Sequence, residues 1–246
     1  MVIAEDLKVS PFTTLTKQLA KRGYTKGSDC DLFPYPKFGF TTYFAESDPY
    51  YLSYKKVMRI KAPLERVEKV IDDIDKYKEF LKNFDKTEKV PIDKNKWNVN
   101  WIHIMPTIFV PNIVYTTVYF LDKPNPNMKV YRYQLKEANH IKHIDGLITL
   151  EKINDNEVCF TGYEFNEGEW GLLKAFVSLD GVWKGGMKGN YVSDHLMRLR
   201  IENPDWTNEK LVKEGEKIAD AFNEEAFLKT RKKLKTLEGV ITSIKN

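Results

Sequence analysis

Only two cysteines occur among the 246 residues, Cys30 and Cys159. Lying far apart, they exclude a dense disulfide framework and a CxxC metal signature, so the expectation is a core or surface thiol at each. Long apolar runs are also missing. No stretch reaches the length of a membrane span, and the opening MVIAEDLKVS lacks the charged start and apolar run of a secretory leader. A soluble, cytoplasmic chain is expected, with an exported one whose leader has been removed kept open. Charge of one sign is not concentrated either: 39 basic residues face 35 acidic ones, for a net charge of +4. That balance argues against a dedicated nucleic-acid surface, and no nucleic-acid partner is expected. GxSxG, Walker, GxGxxG and HExxH motifs are absent, and Ser178 has no recognisable triad partners, which disfavours a standard hydrolase or kinase. No repeat of fixed period and no low-complexity tract appears.

What is present is apolar and aromatic. Hydrophobic residues make up 42% and aromatics 13% of the chain, enough for one large domain with a sizeable core. The most organised stretch runs from Trp170 to Ile201. Leu172, Phe176, Leu179, Trp183, Met187 and Tyr191 recur at steps of three or four, the stripe of a long helix with one greasy side. Beside it stand Gly181, Gly185 and Gly189, four apart, with Gly186 added. Each costs on the order of 1 kcal/mol relative to alanine in a helix interior. Either small residues let the helix lie close to a curved sheet, or a weakened middle lets half the helix swing over a cavity. Asp180, Lys184 and Lys188 interrupt the segment, so it packs on protein and not in lipid.

Ahead of that helix the chain reads mostly as strands. YYLSYKKVMRIK places Leu52, Tyr54, Met58 and Ile60 on one parity, with Lys56 intruding on the same face. Ala62-Pro63 then opens a helix lined by Leu64, Val67, Val70, Ile71 and Ile74, with a break expected within Asp72 to Asp75. Six strand-like segments follow: Asp85 to Ile92, Lys96 to Met105, Ile113 to Leu121, Met128 to Glu137, Ile141 to Ile153 and Glu157 to Asn166. The turns between them are rich in Pro, Asn and Asp, and such short connections make an antiparallel meander. At the N-terminal end, a helix is predicted from Pro11 to Arg22 with Gly23 closing it, followed by an irregular but packed segment. After Pro204, Thr207-Asn208-Glu209-Lys210 marks a capped helix start.

A single curved antiparallel sheet with its helices on one face is an α+β solution, and where sheet and helix do not fully meet an apolar cavity remains. VMRIKAPLERVEKVIDDIDKYKEF, together with HIDGLITLEKINDNEVCFTGYEF and the long helix entered after it, resembles the START-like, Bet v 1-like superfamily. The resemblance covers about Tyr50 to Asn203. It implies a helix-grip fold, with a curved seven-stranded antiparallel sheet wrapped around a long C-terminal helix. It further implies a cavity for a lipid, sterol, quinone or polyketide, and it carries over no catalytic residue. Residues 49–203 then form the domain. Residues 1–48 are an N-terminal extension packed on it, and 204–246 are a C-terminal helical extension.

Within that frame, parity nominates the cavity wall. Trp97, Val99, Trp101, His103 and Met105 alternate with polar or smaller neighbours and should point inward. They are either ordinary core residues or groups that pack on a ligand, with His103 donating a hydrogen bond to its polar end. Tyr115, Tyr119, Tyr131 and Tyr133 offer apolar bodies with hydroxyl tips. Phe176, Trp183 and Met187 belong to the covering helix. Arg132, on the opposite parity from its tyrosine neighbours, should face solvent. His140 and His143 fall on opposite faces of a strand, and Glu164, Glu167 and Glu169 lack a histidine at ligand spacing, so neither a metal nor any other cofactor is expected. The basic run Lys229 to Lys235 reads as a solvated helix face, or as a transient contact with anionic lipid headgroups. The expected function is binding, with transport or sensing, of a hydrophobic small molecule. The alternatives are a polyketide cyclase or hydratase using the same cavity, and a protein-interaction module whose cavity is filled.

Overall fold

The computed structural model describes residues 7, 10–26, 29–104, 112–168, 179–224 and 231–245. The segments read above as strands all form strands. β2 (Asp48–Ile60), β3 (Phe84–Asp93), β4 (Lys96–His103), β5 (Ile113–Asn125), β6 (Met128–Ala138), β7 (Ile141–Asn154) and β8 (Glu157–Gly168) pair antiparallel. The sheet is open and has nine strands, in the order β3-β4-β5-β6-β7-β8-β2-β1-β9. Its two additional strands come from the flanking segments: β1 (Phe38–Ala45) runs antiparallel to β2, and β9 (Arg231–Leu234) runs parallel to β1.

Both extra strands escaped the sequence pattern for physical reasons. β1 is buried on both faces, with Phe40 and Phe44 packed with Tyr54 and Met187 on one side, and Tyr43 and Ala45 packed with Phe12 and Val240 on the other. A strand covered on both sides has no alternation to display. β9 is four residues long and basic, and its formation corrects the helix-face reading of Lys229 to Lys235 at Arg231 to Leu234; Lys229 and Thr230 lie outside the described residues. The unpaired edge of β1 recruits it, and exposed lysines on the new edge discourage further strand addition.

Helices cover both faces of the sheet. On the concave side, α2 (Leu64–Asp72) buries Leu64, Val67 and Ile71 against Ile60, Leu150 and Ile201. The chain breaks through a 3-10 turn at Ile74–Lys76 before the short α3 (Tyr77–Phe80). The long α4 (Leu179–Glu202), about 36 Å at 1.5 Å per residue, lies across the same face. α5 (Asn208–Asp220) starts where Thr207 Oγ1 accepts from the Lys210 N–H, and Leu211 closes a small core with Phe80, Leu81 and Leu196. A Cβ on Gly215 would lie 2.9 Å from Leu196, so this glycine lets α5 approach α4.

On the convex side lie α1 (Thr13–Lys26) and α6 (Leu237–Lys245). Phe12, Leu15, Leu19, Val240 and Ile244 form one core with Val130, Leu147 and Phe165 of the sheet. α1 runs a turn past Gly23, where an end was expected. One glycine weakens a helix by only about 1 kcal/mol, and no proline follows to stop it. A second correction concerns the thiols: Cys30, in a 3-10 turn at Asp29–Leu32, is disulfide-bonded to Cys159 on β8. The pairing joins residues 129 apart in sequence and ties the N-terminal segment to the convex face.

Candidate functional site

Parity along the central strands fixes what looks into the grip. Lys56 of β2 stands opposite Gly162 of β8, Tyr54 opposite Glu164, and Glu164 opposite Gly146 of β7, which in turn faces Tyr133 of β6. Tyr133 continues to Tyr119 of β5 and then to Trp97 of β4. One row across six strands thus carries a carboxylate flanked by tyrosines, with a lysine two residues further along β2.

Gly146 is what lets the row assemble. A Cβ there would fall 1.9 Å from the Tyr133 ring, so only glycine leaves room for that ring to lie over β7. From this position the Tyr133 hydroxyl donates to Glu164 Oε2 at 2.7 Å. Tyr54 donates to Glu164 Oε1, and Asn166 Nδ2 donates to the same oxygen at 2.9 Å. The rings of Tyr119 and Tyr133 stack at 4.9 Å, those of Trp97 and Tyr119 at 5.8 Å, and those of Trp101 and Tyr115 at 6.0 Å.

Burial separates two roles. Tyr54 and Tyr133 are nearly inaccessible, and desolvation, reinforced by the negative Glu164, pushes their hydroxyls well above the ordinary tyrosine range. Desolvation and Glu164 push Tyr115 and Tyr119 upward in the same way, which marks both as deep in the protein. Yet both keep accessible surface, as do Glu164, His103 and Ile148 on the same concave side. Tyr115, Tyr119 and His103 also have no hydrogen-bond partner among the described residues. Desolvation lowers the His103 pKa, opposed by Glu164, so the ring stays neutral near pH 7.

Above this row α4 is latched by charge. Lys56 Nζ meets Asp194 Oδ1 at 2.9 Å, with both side chains only 10% exposed. Its ammonium also sits 5.2 Å from the centre of the Tyr54 ring. Two helical turns away, Met187 is fully buried against Phe40, Phe44 and Tyr54. His195 packs against Phe38 and Tyr191 and its Nδ1 donates to the Tyr191 carbonyl, so Nε2 is left as acceptor. Desolvation lowers its pKa to about 4, partly offset by that hydrogen bond. Three of the α4 glycines, Gly185, Gly186 and Gly189, are not in close contact with the sheet. A Cβ on Gly185, Gly186 or Gly189 would meet nothing within 4 Å among the described residues, which corrects the close-approach reading.

The residues singled out from sequence distribute as follows. Tyr133 contacts Glu164, and the charge of Glu164 acts on His103, Tyr115 and Tyr119 of the same concave face. Trp97, Trp101 and Tyr131 are packed into the core beneath α2, where Trp101 Nε1 donates to Thr117 Oγ1 at 2.9 Å. Met187 is in the α4 contact just described. Trp183 belongs to α4 but its side chain lies outside the described set, as do Phe176 and Met105. Arg132 pairs with Asp122 at 3.2 Å. Glu164, Tyr54 and Asp194 were not among the candidates. A signal for them was present, since Lys56 on an apolar face requires a buried partner. Among the described residues no His, Cys, Asp and Glu cluster could hold a metal, and no helix is long and apolar enough to cross a membrane. A charged groove of about 500 Å³ between Arg66, Lys69, Phe80 and Arg200 lies on the outer side of α2, away from the tyrosine row.

No family model and no curated protein matches the sequence. Solved structures do. The aromatase/cyclase Zhui from a Streptomyces species has 14% identity and a TM-score of 0.52, over 64% of this chain and 97% of that one. The STAR-related lipid transfer protein of Xanthomonas axonopodis has 15% identity and a TM-score of 0.47, over 73% and 93%. The human StarD13 lipid transfer and protein localization domain has 12% identity and a TM-score of 0.47, over 79% and 96%. The antiparallel sheet gripping α4, and the match that spans nearly all of the Streptomyces chain, identify the START-like, Bet v 1-like helix-grip fold in this protein.

Proposed function

We propose that this protein binds a hydrophobic small molecule in the hollow between the concave sheet and α4, as a carrier or sensor. The observation that carries the reading is the pair Tyr115 and Tyr119, deeply desolvated yet accessible and without hydrogen-bond partners among the described residues. Polar tips of that kind set the orientation of a ligand whose affinity comes from apolar burial, worth about 25 cal/mol per Å². Stripped protein should take up a long-chain lipid or quinone from vesicles. Ile148→Trp, which fills the hollow from β7, should abolish that uptake while leaving the far-UV spectrum intact. Uptake undiminished in the filled variant would overturn the proposal.

A second reading, an enzyme of the cyclase type, draws on neutral His103 near Glu164, a group able to accept a proton at pH 7. It requires turnover of a polyketide-like substrate that His103→Ala removes without unfolding. Location follows from the covalent chemistry: the Cys30–Cys159 bond favours an oxidising compartment over the reducing cytoplasm. Exposed Lys232, Lys233 and Lys235 around β9 are where contact with anionic lipid would be sought.

A further inference from the structure

The charges around the hollow carry a statement about the ligand, one that rests on the reading of the hollow as a binding site. Glu164 projects from the middle of β8 onto the concave face and remains partly accessible there. Its oxygens collect three donors, from Tyr54, Tyr133 and Asn166. A neighbouring cation, Lys56, two residues along β2 from the Tyr54 opposite Glu164, is held by Asp194 at 2.9 Å. Two carboxylates and one ammonium therefore meet in this space. His103, the other titratable base on the wall, stays neutral because burial lowers its pKa. The walls add to the same field. Tyr119 and Tyr133 stack with an interplanar angle of 21°, and aromatic faces are the negative part of the ring quadrupole.

We infer that the hollow selects an apolar ligand whose buried end is an ammonium group, and discriminates against one ending in a carboxylate or phosphate. In a site of low effective dielectric an added anion would face Glu164 with no free cation among the described residues lining the hollow. An ammonium would complete the charge balance and rest against tyrosine faces. The surface of the protein cannot mimic this preference, since its net charge of +4 favours the opposite sign.

Dodecylammonium, dodecanol and dodecanoate have the same chain and differ at one end. Each would be titrated at pH 7, below its micelle concentration, against a displaceable fluorescent apolar dye. The amine should bind more tightly than the acid by about tenfold or more, with the alcohol between them. Glu164→Gln should bring amine and acid to within about threefold while leaving the alcohol unchanged, which also shows that the variant is folded. Dodecanoate binding as tightly as the amine would overturn the inference, as would a Glu164→Gln protein with the preference intact. Should that variant not fold, the ordering in the unaltered protein decides alone. If all three bind equally, charge selection fails and the ligand site stands; if none binds, both fall together.

Discussion

The two faces of this sheet are made by the same strands and differ in how completely their groups are satisfied. On the convex face Phe12 stacks on Phe165 at 4.3 Å, with α6 beside them. The buried Asp145 accepts hydrogen bonds from Ser10, Thr13 and Gln134. On the concave face the Tyr115 and Tyr119 hydroxyls and the His103 imidazole lack hydrogen-bond partners among the described residues, and one ion pair latches the helix. Alternation along each strand sends one residue to either environment. The closed face holds the fold, and the open one is left with unspent hydrogen-bonding capacity.

The largest expected effect breaks the closed face. Cys30→Ser removes a cross-link between residues 129 apart, which on the chain-entropy account costs about 5 kcal/mol. Urea unfolding should show it, and a loss below about 1 kcal/mol would mean that the bond contributes little to the convex side. Next comes the latch. Lys56→Met leaves Asp194 buried without its cation, an expected loss of about 3–5 kcal/mol. The double variant Lys56→Met/Asp194→Leu should recover most of that in the same measurement. A double variant as unstable as the single one would show that charge imbalance is not what unfolds the helix.

The smallest effect is pH-dependent and sharpens the contrast. The folded His195 pKa, about 4, lies below the unfolded value of 6.5. Its contribution is therefore present above pH 6.5 and lost as pH falls through 4, at most about 3 kcal/mol. Asp194 and Asp145 have the opposite sign. Desolvation raises their folded pKa values, so their contribution is present at low pH and lost as pH rises through those values. Subtracting the stability curve of His195→Phe isolates the histidine. Parallel curves between pH 4 and 6.5 would remove it from the account.

How far the molecule could be read in advance depends on which partner each residue needed. Strands β2 to β8 were legible because half-buried strands alternate, and α2 because Ala62-Pro63 and the 3.6-residue stripe agree. Even its break at Asp73 showed in the run of acids. β1 was illegible because both faces are covered, and β9 because a lone basic tetrapeptide becomes a strand only beside an open edge. At the site, Lys56 on an apolar parity announced a buried charge, but nothing within β2 named Asp194, which lies 138 residues away. Gly146 could have been a turn or a bulge. Only the Tyr133 ring resting on it explains the glycine.

The amino-acid order alone settled the order of β2, α2 and β3 to β8 and the parity of the central strands, because these depend on neighbours within a few residues. Tertiary structure decided the Cys30–Cys159 pairing, the Lys56–Asp194 latch and the convergence of Tyr54 and Tyr133 on Glu164. Those features join residues dozens to more than a hundred positions apart. Periodicity says which way a side chain points, and only the closed fold says what it meets.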